Sequence, residues 1–94
     1  MLQTAQLFSL GQIVATPGAL AALEQADHGA HEFLTRHVAG DWGELSDEDW
    51  KANNFAVTGP LRLLSAYHLS TGEKLWIITE ADRSATTLIL PAEY

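Results

Sequence analysis

Three histidines, His28, His31 and His37, fall within ten residues, with Asp27, Glu32 and Asp41 close by. Imidazoles and carboxylates are common metal ligands, but a shared site wants two histidines four apart on a helix or converging from separate elements. Spacings of three and six residues serve a single helix face poorly, so neither a metal nor a cofactor is expected. His37 with Asp41 is a sharper pair, because a carboxylate that orients an imidazole supports a general base. No nucleophile stands beside that pair in the chain, and Ser65 or Thr79 would have to reach it through the fold. A small hydrolase-like enzyme using His37, Asp41 and polar sheet residues is therefore one expectation. The competing expectation is structural: Asp41 caps the following turn while Trp42 plugs the gap between helices and sheet. The structural one is favoured, since a catalytic pair needs a third orienting group that the sequence does not name.

Two further polar stretches are candidates for binding. Thr79 to Ser84, TEADRS, places Glu80, Asp82 and Arg83 at one turn. An arginine in a planar bidentate pair would fix the shape of such a loop. Exposed pairs of this kind contribute only about 0–1 kcal/mol, so stability alone is a weak reason for the cluster. The second stretch is acidic: Asp41, Glu44, Asp47, Glu48 and Asp49 follow one another with no base among them. Such a run usually marks a solvated helix start; it also suits a patch that imitates nucleic-acid phosphates. Trp50, directly after three acids, would be a protein-binding anchor if exposed. Trp42, Trp76, Tyr67 and Phe55 are otherwise expected in the core. The candidate binding residues are thus Asp41, Trp42, Asp47, Glu48, Asp49 and Trp50, with Glu80, Asp82 and Arg83.

The elements that must position these residues are legible. Leu61–Leu69, Leu75–Glu80 and Thr86–Leu90 read as three strands, with turns at Ser70–Glu73 and Ala81–Ser84. Pro91 ends the last, having no amide proton for a ladder. Leu7–Ala15 is a candidate fourth strand at the edge. Thr16 with Pro17 starts a first helix running to Ala26. A second helix runs from Ala30 to Ala39, closed by Gly40. Ser46, with Asp49 three residues on, resembles a capping box opening a third, which stops at Thr58–Pro60. The expected architecture is one α+β domain over residues 1–94, with residues 1–6 loose. Its core is a three- or four-stranded antiparallel C-terminal meander, covered on one face by about three N-terminal helices. If Leu75–Ile78 or Thr86–Leu90 lay on a sheet edge, a second copy would pair there.

Several runs together resemble a known family. Arg36–Gly43 (RHVAGDWG), Asp49, Asn53, Arg62–Tyr67 (RLLSAY), Trp76–Ser84 (WIITEADRS), Thr86, Thr87 and Leu90–Tyr94 (LPAEY) are similar to small "plasmid-related" proteins. These are encoded on bacterial plasmids and integrative elements. Some carry a label tying them to a type I restriction methylation subunit, a mark of genomic neighbourhood and not of activity. The resemblance covers Gln12 to Tyr94 and implies an origin on mobile DNA; it brings no activity with it.

Composition narrows the function. Twelve acids against five bases give a net charge of −7, which disfavours direct nucleic-acid binding, where lysine and arginine must replace counterions. Without cysteine there is no disulfide or thiolate site. No apolar run is long enough to span a membrane, and the first residues lack the basic start of a signal peptide, so a cytoplasmic location is expected. The favoured function is a non-catalytic acidic protein-interaction module carried by a mobile element. It would inhibit or regulate a nucleic-acid-acting host or defence complex.

Overall fold

The computed structural model describes residues 6–59 and 61–94; most of the N-terminal segment expected to be loose lies outside them. The order is β1 (Gln12–Ala15), α1 (Pro17–Gln25), α2 (Ala30–Val38), α3 (Asp47–Ala56), β2 (Leu63–His68), β3 (Lys74–Thr79) and β4 (Ala85–Ile89). A 3₁₀ turn, Pro91–Glu93, follows.

The helix starts follow the chemistry of their caps. Thr16 Oγ1 accepts the Ala19 amide at 3.1 Å, with Pro17 in the first turn where its missing donor is harmless. Ser46 Oγ accepts the Asp49 amide at 3.2 Å. Gly40 closes α2 with φ 88°, so that the Asp41 amide reaches back to Arg36 O at 2.9 Å.

The fold is α+β, and β2, β3 and β4 form the antiparallel meander. The sheet as a whole is mixed, which corrects the antiparallel expectation: its order is β1-β4-β3-β2, and β1 runs parallel to β4. Three helices and two strands intervene between β1 and β4, so the chain can return to the same end of the sheet, as parallel pairing requires. Nor are all helical turns N-terminal, since Pro91–Glu93 comes after the sheet. β3 and β4 each have a neighbour on both sides, so the condition for a second copy to pair at Leu75–Ile78 or Thr86–Leu90 is not met.

The true edges are β1 and β2, and β2 is sealed. Ala66 donates to Trp42 O (3.0 Å) and accepts from Glu44 N (2.6 Å). Asn53 grips the same edge, donating to Leu64 O at 2.6 Å and accepting from Leu64 N at 3.2 Å. Gly43, at φ 78°, makes this approach geometrically open: a Cβ there would fall onto the Ala66 carbonyl oxygen.

Between the helices and the sheet lie two apolar clusters. Ala19, Leu23, Phe33, Leu34, Tyr67, Leu75, Ile77 and Leu88 form the larger one. Phe8, Trp42, Ala56 and Leu63 form the smaller, with Trp50, Leu45 and Val57 against it. On β2, Ser65 stands between Leu63 of one cluster and Tyr67 of the other.

Candidate functional site

The polar groups that do converge are His37, Ser65, Thr79 and Thr86, all fully buried. Alternation along the strands puts Ser65, Thr79 and Thr86 on the helix-bearing face, where α2 lowers His37 onto them. His37 Nδ1 meets Ser65 Oγ at 2.5 Å and Nε2 meets Thr79 Oγ1 at 2.9 Å. Thr79 Oγ1 lies 2.8 Å from Thr86 Oγ1, which donates to Leu10 O at 2.7 Å.

One proton arrangement satisfies this row. A carbonyl only accepts, so the single Thr86 hydroxyl proton goes to Leu10. Thr86 Oγ1 then accepts from Thr79, and Thr79 Oγ1 accepts from Nε2–H of His37. Nδ1 is left bare and accepts from Ser65. A neutral imidazole is thereby held in one tautomer. Burial pushes the same way, lowering the His37 pKa to about 4.

Asp41 is not the partner of His37. Its Oδ2 accepts from Arg36 Nε at 2.7 Å and its Oδ1 from the Gly43 amide at 3.2 Å. The hydrogen bond from Arg36 holds its carboxyl below the usual range. Arg36 also lies over the Tyr67 ring, 4.5 Å from its centroid, and Tyr67 Oη donates to Asp41 O at 2.6 Å. The expected general-base pair thus does not form, although Ser65 and Thr79 do reach the imidazole. His37 lines neither the groove beside α1 nor the groove beside β1. As arranged, the row is a cohesive device that joins α2 to three strands.

The remaining histidines disperse. His28 Nδ1 bonds Glu32 Oε1 at 3.0 Å, and His31 Nε2 meets Thr35 Oγ1 at 3.4 Å. Among the described residues no group of three histidine, cysteine, aspartate or glutamate side chains is placed to hold a metal. No described helix is long and apolar enough to cross a membrane.

Arg83 pairs with neither Glu80 nor Asp82. From a left-handed backbone (φ 61°) it sends Nη1 to the carbonyls of Leu61 (2.6 Å), Glu80 and Ala81 (both 3.2 Å). Nη2 goes to those of Ala56 (2.6 Å) and Gly59 (3.1 Å). The guanidinium therefore caps the C-terminal end of α3, where carbonyls lack helical partners. Asp82 accepts the Ser84 amide within its turn. Glu80 pairs with Arg62 at 3.3 Å at the surface.

No protein-family model matches this chain, and no curated protein or solved structure matches it significantly.

The surface candidates divide. Trp42 is fully buried, stacked on Phe8 and donating to Asn54 Oδ1 at 2.9 Å; it is core, which corrects its proposed place on a contact surface. Trp50 is half-buried and donates to Gly43 O at 3.2 Å. Asp47, Glu48 and Asp49 are exposed on the first turn of α3, with Glu44 just before it. Phe55, expected in the core, is 71% exposed on the same helix. Its exposure was hidden because the apolar residues of α3 are too few to define a stripe, and Asn53 takes an inward position. Asn53 and Glu93 are the working polar groups that sequence reasoning missed or left without a role. Glu93 Oε1 accepts from Thr16 Oγ1 at 2.6 Å and from Leu90 N at 2.9 Å.

Proposed function

We propose that this chain is a non-catalytic module that acts by binding another protein through the outward face of α3. The observation that carries the proposal is Phe55, left in water seven residues after Glu48 on a helix headed by acids. Positions 48, 52 and 55 share one helical face. The acids are explained by the helix dipole. Phe55 is not so explained, since burying such a side chain is worth about 1.5–3 kcal/mol. An aromatic anchor rimmed by carboxylates fits a basic partner surface with an apolar pocket. Proteins that handle nucleic acid present such basic surfaces. The likeness of WIITEADRS and its companion runs to plasmid-borne proteins supports an accessory role on a mobile element, inhibiting or regulating a host or defence complex.

The test is affinity capture from bacterial lysate with three baits: the natural chain, Phe55→Ala, and a chain carrying Asp47→Lys, Glu48→Lys and Asp49→Lys. A partner held by the natural chain at low salt, and lost with either variant, is the expected result. A partner retained by both variants removes α3 as the contact surface.

A further inference from the structure

The two edges of the sheet are treated differently, and the open one has a chemistry of its own. β2 is closed by the Trp42–Glu44 backbone and by Asn53. Among the described residues, β1 pairs with β4 alone. The amides of Gln12 and Thr16 donate to Ser84 O and Leu88 O. Strand alternation therefore turns the amide and carbonyl of Ile13 and of Ala15 away from the sheet. Ile13 is 49% and Val14 41% exposed. Of the devices that blunt such an edge, β1 has shortness, at four residues, but no lysine or proline stands within Gln12–Ala15, and Gln12, Ile13 and Val14 are all exposed.

Charge indicates what covers it. The chain carries −7, yet residues 1–23 contain no charged side chain, the first being Glu24. Two copies of so acidic a protein repel one another over most of their surfaces. Along Gln12–Ala15 itself they meet without opposed like charges; the nearest acid, Glu93, lies at the end of the strand, bonded to Thr16. The strand is also complementary to itself. In an antiparallel pair with its two-fold axis at Val14, Ile13 faces Ala15 of the other copy, large against small. Those two residues then exchange both of their backbone hydrogen bonds. Leu10, Ile13, Leu34 and Val38, with Gln6, His31 and Thr35, line a groove of about 310 Å³ beside the strand. The grooves of the two copies would join into one seam there.

We infer that β1 is the site at which a second copy of this chain docks, by antiparallel β1–β1 pairing that continues the sheet across both molecules. The inference is independent of the role given to α3, which packs against the opposite edge through Asn53. Both α3 surfaces would stay free, making the assembly bivalent toward a partner.

Sedimentation of the full chain at concentrations up to about 1 mM tests it, with circular dichroism confirming that each variant is folded. The natural chain should reach dimer mass. Ile13→Pro removes only an outward donor, so it should keep the bonds to β4 and remain monomeric. Val14→Lys alone and Val14→Glu alone should each be monomeric, because like charges would face across the two-fold axis. Mixed in equal amounts, they should restore the dimer mass. A natural chain that stays monomeric throughout overturns the inference. So does a dimer that survives folded Ile13→Pro and both Val14 variants.

Discussion

Arg83 Nη2 reaches Ala56 O at 2.6 Å, tying the β3–β4 turn to the last turn of α3 across 27 residues of chain. Five carbonyls share this one guanidinium. Lysine keeps the charge but lacks the planar fork. Arg83→Lys is expected to destabilise the fold by about 1–2 kcal/mol and Arg83→Ala by about 2–3 kcal/mol. Urea midpoints at constant m-value check both; a Lys variant as stable as the natural chain would leave only the charge as important.

The neutral His37 makes stability depend on pH. Its pKa is about 4 in the fold against an ordinary 6.5. Between these values the unfolded chain binds a proton that the folded chain refuses. Stability is therefore complete above about pH 6.5 and falls as pH drops toward 4, by roughly 3 kcal/mol in all. Asp41, Asp82 and Glu93 have lowered pKa values. Their contributions are present above the ordinary carboxylate range and fade only as pH falls through it, so the window from about 5 to 6.5 belongs to His37. His37→Gln should flatten the unfolding free energy across that window. An unchanged slope would place the titrating group elsewhere.

Gly43 lets the Trp42–Glu44 segment lie against β2. Gly43→Ala combines a left-handed backbone with a collision at the Ala66 carbonyl oxygen and the Tyr67 ring. A loss of about 2–4 kcal/mol is expected, with increased hydrogen exchange at Ala66 and Glu44. Unchanged protection at those amides would show that the bridge tolerates a side chain.

Phe55 should behave in the opposite way. Phe55→Ala is expected to alter stability by no more than about 0.5 kcal/mol while abolishing capture of the partner. A large fall in melting temperature would instead make Phe55 a packing residue.

Much of this fold was legible because local chemistry determines it. Thr16 and Pro17, Gly40, and Ser46 mark helix ends through bonds within a few residues, and the three meander strands lie within two residues of their expected bounds. A fourth strand at the meander's edge was legible, though only Gln12–Ala15 of Leu7–Ala15 pairs; its parallel direction against β4 was not, because a period of two identifies a strand but not how it pairs. The site was read less well. Asp41 is nearest His37 in sequence, yet Arg36 lies on the side that the Gly40 turn presents to it. The real partners of His37 are 28 and 42 residues away. In sequence Arg83 resembles an ion-pairing residue, because carbonyl acceptors leave no mark there.

The pairing of Gln12 with Ala85 also bears on how the molecule comes to be made. A ribosome releases the segment that becomes β1 long before the strand it must lie beside. During that interval Phe8 and Leu23, buried in the finished fold, have no sheet to shelter them, so the newborn polypeptide is a natural client for a chaperone that grips uncharged extended segments.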